Sequence, residues 1–137
     1  MLSCDYSPIY SSKDNYNFFI EKIDFSGDAE INNLIDKKLK KYQTTKNEKK
    51  ISIFSTSSYN KVSQSKNLSG KTTTYLVIID ITFQIKKMDK SNTFKFKEEF
   101  LIKNFSNKFE ESNLEKIKKE NTVDLIINRL ISQISLM

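Results

Sequence analysis

The chain has 137 residues, the length of one domain, and a formal net charge of +6 from 23 basic and 17 acidic side chains. Histidine and tryptophan are absent and there is one cysteine, so a Cys/His zinc centre, a Ser-His-Asp triad and a disulfide framework all lack their parts. Forty Leu, Ile, Val and Phe residues suffice for a core, yet no apolar run approaches the roughly 18 to 20 residues of a membrane span.

Lysine supplies almost all of the positive charge, since Arg129 is the only arginine, and Ala29 is the only alanine. That bias reads as the habit of an AT-rich genome, which makes the position of the charge more informative than its total. Residues 46–103 carry 12 basic and 5 acidic groups and hold the whole excess.

Residues 1–17, built around Pro8 without periodicity, read as an extended arm ahead of a single domain over 18–137. In Phe18 to Phe25 the alternation puts Phe19, Ile23 and Phe25 on one face of a half-buried strand; Glu21 breaks the pattern. Asp28 is placed to cap a helix carrying Ile31, Leu34, Ile35, Leu39 and Tyr42, and Lys37, Lys38, Lys40 and Lys41 complement its dipole. Ile51, Ile53 and Phe54 start a short strand that fades into Ser55 to Lys66. The clearest alternation follows Gly70, with Tyr75, Val77, Ile79, Ile81, Phe83 and Ile85 on one face of a central strand. A turn over Asp89 to Asn92 leads to a returning strand in which Phe94, Phe96, Phe100 and Ile102 alternate with Lys95, Lys97, Leu101 and Lys103. Ser112 and Glu115 form a capping box for a closing helix whose apolar side runs through Leu114, Ile117, Val123, Ile126, Ile127, Leu130, Ile131 and Ile134. The expected fold is an α/β two-layer domain: a four-stranded twisted sheet in the order strand, helix, three strands, helix, with both helices on one face.

Nothing in this pattern carries catalysis, and the chain reads as a non-enzyme without a metal or cofactor. Gly70-Lys71-Thr72 has the tail of a P-loop but lacks the earlier glycine, Ser65 standing there, and precedes a strand where a helix is needed. Glu98 and Glu99 are adjacent in a strand and point apart. Phe94-Lys95-Phe96-Lys97 mixes aromatic and basic residues, as single-strand nucleic-acid surfaces do, but the alternation sends the rings and the ammonium groups to opposite faces. A small basic nucleic-acid-binding module is therefore an alternative, with no nucleic acid among the expected partners.

Leu2-Ser3-Cys4 resembles the end of a bacterial lipobox, and Cys4-Asp5-Tyr6-Ser7-Pro8-Ile9-Tyr10 resembles the Cys-Gly-Phe-x-Pro-Leu-Tyr opening of the LPS-assembly lipoprotein family, LptE. A complete signal segment is not expected within these residues. The likeness extends over the chain, Gly70 to Lys87 resembling that family's central strand and Leu114 to Leu136 its closing helix. Asp5 replaces the family's glycine, a residue associated in some bacteria with inner-membrane retention, and Lys, Asn and Ile replace its Arg- and Ala-rich texture. The resemblance implies a Gram-negative outer-membrane lipoprotein, lipid-anchored through Cys4 on the periplasmic face. It would plug and support the LPS-assembly β-barrel LptD and bind lipopolysaccharide. The lysines of the middle segment, Lys61, Lys66, Lys71, Lys86, Lys87, Lys90, Lys95 and Lys97, are the candidate ligands for lipid A phosphates. A generic periplasmic lipoprotein accessory to a transporter is the remaining alternative.

Overall fold

A computed structural model describes residues 18–44 and 49–137; the arm and Cys4 lie outside the described residues. Chain order is β1 (Phe19–Gly27), α1 (Ala29–Leu39) with a 3-10 turn over Lys40–Gln43, β2 (Lys50–Lys66), β3 (Thr72–Lys87), β4 (Lys90–Lys103) and α2 (Lys108–Ser135). The four strands lie side by side in sequence order, β1 parallel to β2 and the other neighbours antiparallel. The helix-loop crossover between β1 and β2 is what a parallel neighbour requires.

Alternation in β3 sets the core. Val77, Ile79, Ile81, Phe83 and Ile85 are buried, with Tyr75 half-buried at their end, and Ile53, Phe94, Phe96 and Ile102 join them on the same face from the adjoining strands. Onto this face pack Ile31, Ile35 and Leu39 of α1 and Val123, Ile126, Ile127, Leu130 and Ile134 of α2; among the described residues no helix covers the opposite, open face of the sheet. Phe18 stacks on Tyr42 at 5.1 Å between ring centroids and closes the edge below α1.

Four sequence expectations change. Phe18 and Ile20 face the core and Phe19 does not, because Glu21 is the extra residue of a β-bulge: Ile20 pairs with Ile51 and Lys22 with Ser52, so the inward parity switches to Ile23 and Phe25. β2 does not fade after Phe54 but runs 17 residues, its inward row continuing as Ser55, Ser57, Tyr59 and Lys61. The tight turn after β3 is Met88-Asp89 rather than Asp89 to Asn92, with Met88 held at a φ of 60°. Finally α2 starts four residues before Ser112: Asn107 is its cap and accepts the Phe109 and Glu110 N–H groups at 3.0 and 3.3 Å, while Ile117 is exposed rather than packed.

The corner between β1 and α1 is held by close backbone approach. Gly27 has φ +97°, and a Cβ there would lie 1.9 Å from the Ser57 carbonyl oxygen. Asp28 N–H donates to that same oxygen at 3.1 Å, and the Asp28 carboxylate accepts Ile31 N–H at 2.9 Å to start α1. Ser57 is small enough to lie beneath the helix, its hydroxyl bonding Asn32 Oδ1 at 2.7 Å. At the far end Lys49 Nζ donates to the carbonyls of Ile134 and Met137 at 3.1 and 2.8 Å and ties the end of α2 to the start of β2. On the outer edge of β4, Lys118 Nζ donates to the Leu101 carbonyl at 2.9 Å, and Arg129 of α2 pairs with Glu98.

Gly27→Ala is expected to cost about 3 kcal/mol or more, because backbone must move to admit the methyl. Gly70→Ala, with φ +86° but nothing within 4 Å, should lose only about 1 kcal/mol by comparison. Urea unfolding of the two variants checks the contrast. Met88→Gly should gain roughly 0.5 to 1 kcal/mol by relieving a left-handed backbone.

Candidate functional site

Where the sheet outruns the helices, polar groups replace the apolar core. Tyr59 and Lys61 are the last inward residues of β2 to meet the helical layer, and Glu111, Glu115 and Lys119 follow one another at four-residue intervals on the facing side of α2. The Tyr59 hydroxyl donates to Glu115 Oε2, and Lys61 Nζ lies 2.8 Å from Glu115 Oε1 and 3.5 Å from Glu111 Oε2. Glu111 is buried, accepts Phe105 N–H at 2.8 Å, and pairs with Lys108 at 3.2 Å. Lys119 sits 4.3 Å above the Tyr59 ring and reaches Glu30 of α1, while Lys61 lies 4.6 Å from the Tyr75 ring. A continuous chain of ion pairs and ring contacts thus joins α1, α2 and the β2–β3 hairpin along a cleft of about 660 Å³.

Burial alone would raise the Glu111 carboxyl, but the Phe105 N–H, Lys108 and Lys61 overcome it and hold the group below its ordinary value. Glu115 is pushed up by desolvation too, and Lys61 and Tyr59 bring it down. Burial and the Glu115 carboxylate together push the Tyr59 phenol far above its usual range. Carboxylates whose folded pKa lies below the unfolded one stabilise fully above the unfolded value, 4.5 here, and lose that contribution as pH falls through the folded one. The paired groups act as a staple between α1, α2 and the β2–β3 hairpin. Among the described residues no group of carboxylates or thiols gathers as a metal site.

The lysines named from sequence do not converge. Lys61 is spent in the ion pairs just described. Lys66 and Lys71 flank the β2–β3 turn, where Asn67 Oδ1 accepts the Ser69 and Lys71 N–H groups at 3.0 Å each and Leu68 stands fully in solvent. Lys86, Lys87 and Lys90 surround the β3–β4 turn at the other end of the sheet, about 50 Å along β3 from Lys71 at ~3.3 Å per residue. Lys95 and Lys97 lie on the open face, next to Thr82 and Asp80 in the pairing register.

That open face holds a feature the sequence reading missed. Val62, Leu76 and Leu101 are aligned in one cross-strand row over β2, β3 and β4, with Ile78 in the row beside it. Val62 and Leu101 are 46% and 50% exposed, so the row is an apolar strip facing solvent. On β4 Lys103 and Glu99 flank Leu101, Lys97 stands one outward position further along beside Asp80, and the Lys66–Lys71 turn lies at the strip's end. The rest of this face carries hydroxyls from Ser52, Thr56, Ser58, Thr82 and Thr93, with the exposed Phe54 ring among them. The signal was present in the even-numbered residues of β3, Leu76 and Ile78, which break an otherwise polar outward row.

No protein-family model matches the sequence, and no curated protein matches it. The fold is shared with solved structures. Rare lipoprotein B from Shewanella oneidensis is 14% identical with a TM-score of 0.59, over 82% of this chain and 95% of that one. A lipoprotein B from Nitrosomonas europaea is 13% identical with a TM-score of 0.50, over 87% and 88% of the two chains. A candidate lipoprotein from Caulobacter crescentus is 7% identical with a TM-score of 0.52, over 83% and 88%. These likenesses define the class of architecture, a mixed four-stranded sheet with two helices on one face.

The double variant Glu111→Gln/Glu115→Gln is expected to lose about 2 kcal/mol at neutral pH. In the parent, stability should decline as pH drops below 4.5, and in the variant that acid slope should be shallower. Urea titrations repeated at several pH values measure both.

Proposed function

We propose that this chain is an LPS-assembly lipoprotein, a non-catalytic partner of the outer-membrane barrel LptD, anchored through acylated Cys4 and binding lipopolysaccharide. The observation that carries the reading is the lysine-bordered apolar strip on the open face. Lipid A joins phosphates to acyl chains, and Val62, Leu76, Ile78 and Leu101 offer apolar contact beside the ammonium groups of Lys66, Lys71, Lys97 and Lys103. The barrel role draws support from the same face, whose hydroxyl-bearing remainder suits the polar interior of a large barrel. Shared architecture with proteins described as lipoproteins agrees with the opening at Leu2-Ser3-Cys4.

Nucleic-acid binding is the weaker reading, because the alternating phenylalanines Phe94, Phe96 and Phe100 are turned toward the helices and cannot serve as stacking platforms.

Two variants test the assignment. Lys66→Gln/Lys71→Gln/Lys97→Gln should weaken binding to purified LPS roughly tenfold, by loss of exposed charge pairs. Leu101→Asp should abolish the part of binding that survives high salt, since that part depends on acyl contact. Both should keep the parent's circular dichroism. Unchanged LPS affinity in both variants would rule out the open-face strip, and failure to co-purify with a barrel would remove the partner.

A further inference from the structure

The chain enters the sheet at the end where the lysines of the β3–β4 turn gather. Phe19 pairs with Lys50, and Ser52 pairs with Lys86, so the start of β1 lies two strand spacings, about 10 Å, from the end of β3. Around the Met88-Asp89 turn stand Lys86, Lys87 and Lys90, with Lys50 on the neighbouring strand and Asp89 as the acidic group within the turn. Lys49 reports the crowding: desolvation and the Lys87 ammonium both lower its pKa.

Met88 is the unusual residue. Its side chain is 91% exposed, so it adds nothing to the core, and its φ of 60° is a conformation glycine would adopt without strain. An exposed apolar side chain on a strained turn, ringed by cations, is poorly explained by folding alone.

We infer that the β3–β4 turn is a membrane-contact element, in which Lys86, Lys87 and Lys90 meet the anionic headgroups of a phospholipid bilayer and Met88 enters the interface between them. The orientation rests on the anchor proposed at Cys4. Thirteen residues separate Cys4 from Phe18 and span at most about 45 Å, and Phe18, the first described residue, stands at this end of the sheet. A basic turn on the same side adds attraction to an anionic bilayer of about 1 kcal/mol per lysine close to the surface. With this end on the bilayer, the Lys66–Lys71 turn and the apolar strip point away from it, so lipid contact and the proposed LPS contact occupy opposite ends of the sheet.

The test uses the full unacylated chain and vesicles of phosphatidylcholine with or without phosphatidylglycerol, containing no LPS. Sedimentation should show binding to the anionic vesicles only. Lys86→Gln/Lys87→Gln/Lys90→Gln should weaken it on the order of 100-fold, about fivefold per lysine. Lys66→Gln/Lys71→Gln should leave it unchanged. Met88→Gly should weaken vesicle binding severalfold while unfolding at higher urea than the parent, a split that a purely structural role would not produce. The inference is overturned if the parent ignores anionic vesicles, if the triple variant binds as tightly as the parent, or if the Lys66/Lys71 pair weakens binding as much. Because no LPS or barrel is present, those failures leave the LPS assignment standing, and unchanged LPS affinity in the open-face variants leaves this one standing.

Discussion

Helices on only one side of a sheet force every strand to sort its side chains by parity, and this one-sided burial governs the whole molecule. The inward row of β3 obeys it without interruption, so its neighbours inherit their register from it: Phe83 fixes Phe94 on one side and Ser55 on the other. The requirement also explains the two small residues beneath α1. Ser55 and Ser57 occupy inward positions where larger side chains would hold the helix off the sheet, and the Ser55 hydroxyl is buried there without a hydrogen-bond partner.

The parts of the fold that were legible in sequence are those where apolar residues mark the parity. β3, β4 and α1 follow their hydrophobic periods closely. β2 was half hidden because its inward row passes from Ile51 and Ile53 into Ser55, Ser57, Tyr59 and Lys61, a series polar by composition and inward by geometry. In β1 the break at Glu21 was visible but its meaning was not, since only pairing with β2 shows that a residue has been inserted and the facing reversed. The capping box at Ser112 and Glu115 had the right spacing and the wrong partners: Glu115 answers to Tyr59 and Lys61, more than fifty positions earlier in the chain.

Site residues were less legible for the same reason. Charge excess confined to one stretch of sequence looks like a patch, but a stretch folded into three long strands distributes it over both ends and one face. Of the eight lysines only pairs and triplets share a neighbourhood, and Lys61 turns inward to serve the fold. The apolar strip on the open face needed the register of three strands before Val62, Leu76 and Leu101 could be placed in a row.

The two borders of the sheet are unequal. β4 is long, but Lys95, Lys97 and Lys103 stand along it and Lys118 already occupies the Leu101 carbonyl, so a foreign strand finds both repulsion and a blocked acceptor. β1 is shorter, and its bulge limits the run of regular pairing. Two molecules joined through β1 would expose only guarded β4 borders, and growth would stop at the pair. The asymmetry thus works as a chain terminator, denying a strand-rich protein the second receptive border that a fibre needs.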